Sequence, residues 1–144
     1  MTLTGRVQKK SDENLARRFL ARHPGARKYA GFADFGFYRM TVERAHFVGG
    51  FGRATWFGAA RYVFEKEISK TVGGAEKRLI ERLDRKKIQA SARRLFGGTA
   101  RAWQIIGVDL EGCDFRCRNT FRRLTFEKPA RSVQGIRAAL VDIL

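Results

Sequence analysis

The sequence predicts an α+β fold, and three features of its pattern carry that prediction. Helical periodicity appears in separated blocks, the clearest being Val133, Ile136, Leu140 and Ile143 at spacings of 3, 4 and 3. Runs rich in aromatic and β-branched residues lie between the blocks, as at residues 35–42 and 103–108. The resulting order is strand, two helices, two strands, long helix, three strands, helix, so strands and helices are grouped and do not alternate.

Residues 3–7 read as a short strand that ends before Lys9-Lys10. Ser11 and Asp12 are good N-caps, because their side-chain oxygens accept the N–H groups that a first helical turn leaves unpaired. Leu15, Phe19 and Leu20 then share one helical face, with Arg17, Arg18 and Arg22 elsewhere. Pro24 ends this helix near His23 and opens a second, short one through Ala26, Tyr29 and Ala30 up to Gly31. Residues 35–42 and 45–48 are expected strands, with Glu43-Arg44 as a hairpin corner between them. Phe37, Arg39 and Thr41 would point to one face, and Tyr38, Met40 and Val42 to the other. Gly49, Gly50 and Gly52 follow, which suggests positive φ angles or a close approach of backbone to a ligand.

A long helix is expected over residues 75–96, with Ile80, Leu83, Ile88, Ala92 and Leu95 in one arc and Gly97-Gly98 as its stop. Three strands follow at residues 103–108, 113–117 and 121–126, the first two joined by the turn Asp109-Leu110-Glu111-Gly112. Ser132 caps the last helix.

The 144 residues suffice for one domain or two very small ones, and 44% hydrophobic content argues against wholesale disorder. No uncharged apolar stretch approaches the ~20 residues of a membrane span. Met1 to Arg6 contain no apolar signal core, and the two cysteines give no disulfide framework. The expectation is a cytoplasmic protein with no membrane partner. The net charge is +16, from 30 basic and 14 acidic side chains, which predicts attraction to polyanions or to phosphate and carboxylate ligands. That charge is spread evenly: residues 1–67 carry 13 basic and 6 acidic side chains, and residues 68–144 carry 17 and 8.

One stretch points to a family. His23-Pro24-Gly25-Ala26, residues 29–35 (YAGFADF), Tyr38-Arg39 and Gly49-Gly50-Phe51-Gly52-Arg53-Ala54 resemble the pyridoxamine 5′-phosphate oxidase-like FMN-binding split-barrel proteins of the haem-utilisation type. Residues 103–109, Gly112 and residues 123–126 are similar to the small α/β domain that follows the barrel in that family. The resemblance implies the C-terminal part of a split β-barrel over residues 1–67, followed by a small α/β domain with three strands and two helices over residues 68–144. It implies FMN or haem as cofactor, bound at a homodimer interface when the protein is intact. Haem utilisation or degradation, or flavin-dependent oxidoreductase chemistry, is the implied activity. Two departures stand out. Family members begin well before this Met1, so the chain reads as N-terminally truncated. The family's His-Met-Asn-x-x-His-like run is here Arg82-Leu83-Asp84-Arg85-Lys86-Lys87, which lacks both histidines.

Gly49, Gly50, Gly52 and Arg53 are the candidate cofactor-binding residues. An arginine after a glycine-rich strand end can offer paired N–H donors to a flavin phosphate or a haem propionate, or it can close the loop by a salt bridge. The glycines either let backbone N–H groups approach an anion or simply make a tight loop. His23 and His46 are weighed as haem ligands or acid–base groups against ordinary side chains. Cys113 and Cys117 lie on one face of a strand and lack the two further ligands that zinc needs. Arg82, Arg85, Lys86 and Lys87, with Arg93 and Arg94, form either a phosphate-binding stripe or a solvated face. The alternative function is therefore a basic, non-enzymatic nucleic-acid-binding protein, or an inactive truncated remnant.

Overall fold

The computed structural model describes residues 1–50, 52–97 and 102–144. Phe51 of the glycine-rich motif and Gly98 of the expected helix stop lie outside these. Among the described residues there are four α-helices and two three-stranded antiparallel sheets, an α+β fold. The chain divides into two compact units, Met1–Glu65 and Lys66–Leu144.

In the first unit, β1 (Thr2–Lys9) is followed by α1 (Glu13–Arg22), a short 3₁₀ turn over Pro24–Lys28, and strands β2 (Tyr38–Val48) and β3 (Ala54–Gly58). Asp12 caps α1: its Oδ1 accepts from the N–H groups of Asn14 at 2.9 Å and Leu15 at 3.2 Å. The sheet order is β1-β2-β3. Glu43-Arg44 is no hairpin corner; it lies inside the single eleven-residue strand β2. Thr4 pairs with Arg44 and Gly5 with Val42, so Glu43 is an extra residue, a β-bulge. A Cβ at Gly5 would meet the Thr41 carbonyl oxygen at 2.0 Å, so only glycine permits this close approach.

The bulge has a purpose visible in the register. Strand side chains alternate between faces, and one extra residue reverses the alternation beyond it. Val7 and Met40, Gly5 and Val42, then Leu3, Ala45 and Phe57 form successive rows on one face. Gln8 and Arg39, Arg6 and Thr41, Thr4 and Arg44, then Thr2, His46 and Trp56 form rows on the other. The first face is mainly apolar, with Lys9 and Thr55 as exceptions, and the second is mainly polar, with Val48 and Ala54 as exceptions. Little covers the apolar face: Ala45 is 1% exposed, but Phe47 is 48% exposed and Val7 and Tyr38 are 61% exposed. Ala26 and Ala45 are the only buried residues described in this unit.

The second unit contains a closed core. Its elements are α2 (Lys66–Glu81), α3 (Arg85–Phe96), β4 (Gln104–Val108), β5 (Gly112–Cys117), β6 (Thr120–Thr125) and α4 (Val133–Ile143). The expected long helix is therefore two. The first ends at Glu81, and Asp84 caps the second, accepting from the Lys86 N–H at 2.7 Å. An N-cap residue adopts extended backbone (Asp84 φ −70°, ψ 120°), so a strong cap inside an apparently continuous pattern divides it. Val72, Leu79, Ile88, Ala92, Ile105, Val108, Phe115, Ile136 and Leu140 are buried in this unit. Gln89 clasps the backbone of Trp103 through both its amide groups, which fixes α3 beside the entry to β4. Ser91 Oγ and Arg94 Nη2 donate to the carbonyls of Leu144 and Ile143 at 3.1 and 2.9 Å. These are carbonyls that a helix end leaves without an internal partner.

Glu76 is the one fully buried carboxylate described. It is 0% exposed, and its Oε1 accepts from the Val108 N–H at 2.9 Å, tying α2 to β4. Glu76→Ala should lower the unfolding free energy by at least about 1–3 kcal/mol, since a buried N–H loses its acceptor. Glu76→Gln, which keeps an acceptor, should lose less. Phe47→Ala, on the open face of the first sheet, should lose less than the ~3–5 kcal/mol of a buried phenylalanine. Urea denaturation of the three variants measures all three values.

Candidate functional site

The glycine-rich motif forms the hairpin between β2 and β3. The sequence shows the glycines but hides the strand after them, because Ala54-Thr55-Trp56-Phe57-Gly58 is short and carries glycine at its end. Gly49 N–H donates to the Arg53 carbonyl at 2.9 Å, and Arg53 N–H donates to the Gly50 carbonyl at 3.2 Å. Gly50 has φ 115° and Gly52 has φ 75°, values that side chains strongly disfavour, so glycine is required at both. The positive φ angles expected at this strand end are present. Two of the hairpin's N–H groups are committed to closing the turn. A Cβ added at Gly50 or Gly52 would meet nothing within 4 Å, so the hairpin is open on that side.

Arg53 follows directly and is exposed. Among the described residues its guanidinium makes no ion pair, so the loop-closing salt bridge considered from the sequence is not formed there. Gly49, Gly50, Gly52 and Arg53 thus lie together on one short hairpin, as consecutive or near-consecutive residues must.

The two histidines lie in different surroundings. His23 closes α1 and packs on Phe19 with ring centroids 4.7 Å apart. His46 lies on the polar face of the sheet and stacks on Trp56 at 4.6 Å and 20°. The guanidinium carbon of Arg44 lies 4.7 Å from the same indole ring. Sequence reading missed Trp56, because its place opposite His46 depends on the register between β2 and β3. A cavity of about 290 Å³ lies beside α1, lined by Leu15, Phe19, Phe35 and Phe37 with Arg18 and Tyr38. It arises from the alternation of Phe35 and Phe37 just ahead of β2, whose rings pack edge-on at 5.2 Å.

In the second unit the expected basic stripe is divided. Arg82 lies in the turn after α2, while Arg85, Lys86 and Lys87 crowd the first turn of α3, all of them exposed. Cations at a helix N-terminus oppose the helix dipole, so this is an open cluster that gains nothing from its own helix. Arg94 is occupied by the Ile143 carbonyl. Cys113, Phe115 and Cys117 share the core face of β5, and both cysteines are free and buried. No group of three or more metal-ligating side chains occurs among the described residues. No helix among them is long and apolar enough to cross a membrane.

A charge network joins the turn after β4 to β5 and β6. Arg123 donates to Asp109 Oδ1 at 2.8 Å and to Asp114 Oδ1 at 3.2 Å. Asp109 Oδ1 also accepts from the N–H groups of Glu111 and Gly112, which makes the turn. Arg123 is held more firmly protonated than usual, first by its hydrogen bond to Asp109. Burial, then the charge of Asp114, pushes the Cys113 thiol up to about 12 from an ordinary 9.0. The folded chain keeps this proton where the unfolded chain has lost it. Stability from Cys113 is therefore complete below pH 9.0 and is lost as pH rises toward about 12. At pH 8 iodoacetamide should modify Cys113 only after unfolding, as peptide mass spectrometry would read. Denaturation curves across that alkaline range should fall less steeply for Cys113→Ala than for the unsubstituted chain.

Comparison with known proteins adds the following. Residues 1–64 match the family model described as CREG, beta-barrel. No curated protein matches the chain. Among solved structures, a protein of unknown function from Agrobacterium tumefaciens str. C58 aligns with a TM-score of 0.64 and 21% identity, over 97% of this chain and 59% of that one. A haem-binding protein from Mycobacterium smegmatis aligns with a TM-score of 0.49 and 25% identity, over 98% of this chain and 62% of that one. The chain thus spans less than two thirds of either protein. What these likenesses establish is the fold: an α+β chain whose first unit is similar to a CREG-type β-barrel.

Proposed function

We propose that this chain is a cofactor-binding protein of the pyridoxamine-phosphate-oxidase-like, haem-utilisation type, taking FMN or haem. The observation that carries the proposal is the Gly49–Arg53 hairpin. It joins two obligatory glycine conformations to an exposed arginine, within the segment that matches a β-barrel family. The residues present fit the anionic end of either group. Arg53 would meet a flavin phosphate or a haem propionate through paired N–H donors. The N–H groups of Gly50 and Gly52 would supplement it, since those of Gly49 and Arg53 already close the turn. When bound, flavin or haem would supply the electron chemistry, and the chain would supply placement and charge. In this reading residues 1–67 contribute to a split barrel, residues 68–144 form the following domain, and the protein works in the cytoplasm. The open apolar face of the first sheet favours a homodimer, because such a face is costly to leave in water.

Optical titration with FMN and then with hemin tests the proposal. A saturable, stoichiometric shift in the spectrum of one of them is expected. Arg53→Ala should then weaken that ligand by about 1.5–3 kcal/mol, the range for a hydrogen bond to a charged group, while leaving the thermal melt unchanged. A flat titration with both ligands would overturn the reading.

A further inference from the structure

The polar face of the β1-β2-β3 sheet carries a cationic aromatic stack that cofactor binding at the Gly49–Arg53 hairpin does not use. Trp56 lies directly across from His46, with the two rings 4.6 Å apart and 20° from parallel. Arg44 places its guanidinium carbon 4.7 Å from the same ring. Gly58 pairs with Arg44 and contributes no side chain to cover it. Even with His46 and Arg44 against the ring, Trp56 remains 47% exposed, so much of this large apolar side chain is open to a further partner.

The net charge around the stack is positive. Arg39, Arg6 and Arg44 occupy successive rows of this face. The one acidic side chain in β1, β2 or β3 is Glu43, and it is paired with Arg6 at 2.9 Å. Arg39 and Arg44 therefore add positive charge on either side of that neutral pair, in a chain of net charge +16. An exposed indole on an open strand face, bordered by arginines, suits a ligand that joins a flat ring to a phosphate. A base can stack on the indole or on a guanidinium plane while the neighbouring phosphates meet arginine. The bases of a duplex are already stacked on each other, so a surface of this chemistry suits single strands better than duplex.

We propose that the polar face of this sheet binds single-stranded nucleic acid, with Trp56 as the stacking platform and Arg44 and Arg39 as phosphate contacts. The Arg85–Lys87 cluster of the second unit adds general attraction and no stacking.

Fluorescence anisotropy of the whole chain with a labelled, mixed-sequence single-stranded 12-mer tests this across a salt series. The expected result is saturable binding, weaker at higher salt and tighter than binding to a duplex of equal length. Trp56→Ala should weaken it about tenfold, as loss of one stacked base implies, and Trp56→Phe should restore most of the affinity. Arg44→Gln should lower the salt dependence by about one phosphate contact. Far-UV circular dichroism of each variant guards against misfolding, and Arg39→Gln serves as a second probe if Trp56→Ala does not fold. Equal affinity for single strand, duplex and heparin would overturn the proposal and leave charge alone as the cause. So would a folded Trp56→Ala that binds like the unsubstituted chain. Binding to phosphatidylserine vesicles with none to the oligonucleotide would also overturn it. FMN and hemin titrations of Trp56→Ala read the hairpin separately, so each reading can fail without the other.

Discussion

One extra residue, Glu43, decides what the first sheet can do. The apolar residues of β2 change parity along the strand: Met40 and Val42 are even, Ala45 and Phe47 are odd. Alternation would scatter them over both faces of a regular strand. The bulge opposite Thr4 and Gly5 moves them onto one face, where Leu3, Val7 and Phe57 join them. The same shift gathers Arg6, Arg39, Arg44, His46 and Trp56 on the other. Gly5 makes the shift possible, because a Cβ there would overlap the Thr41 carbonyl. An apolar face and a cationic face on one sheet are thus two results of one backbone irregularity.

The two units solve the burial problem differently. In the second, α2 and α3 pack on β4, and α2 also packs on α4, so that Phe115, Val108 and Ile136 lose all contact with solvent. Polar groups there act as fasteners: Glu76 to Val108, Gln89 to Trp103, Ser91 and Arg94 to the end of α4. Each joins segments distant in sequence, and each satisfies backbone groups that burial would otherwise strand. The sheet of the first unit stays open on the apolar side, and it presents a hairpin with two obligatory glycines and a surface indole.

Charge is used in two ways. Where carboxylates are close, arginine is structural: Arg123 bridges Asp109 and Asp114 and so holds the turn before β5 and the pairing of β5 with β6. Where carboxylates are scarce, arginine faces solvent, as at Arg53 on the hairpin and Arg44 beside Trp56. A count of +16 cannot separate these two populations; only the positions of the acidic groups can.

The sequence by itself determined the fold class, the caps of the first and last helices and the turn before β5, because these depend on neighbours along the chain. Asp12, Ser132 and the Asp109–Gly112 turn act as their side-chain chemistry requires. So do the glycines at positions 50 and 52, whose backbone angles exclude other residues. It misread the break in pattern at Glu43-Arg44 as a corner, since a bulge and a hairpin interrupt alternation in the same way. It joined α2 to α3, since the helical period continues across Asp84 even though the backbone there does not. Strand β3 escaped it, being five residues long and stable only when paired with β2. Tertiary structure alone decided which residues meet across strands: Trp56 against His46 under Arg44, Glu76 against Val108, Arg123 against two aspartates. Those contacts depend on register and helix docking, which the whole chain sets at once through burial, and no local stretch encodes them.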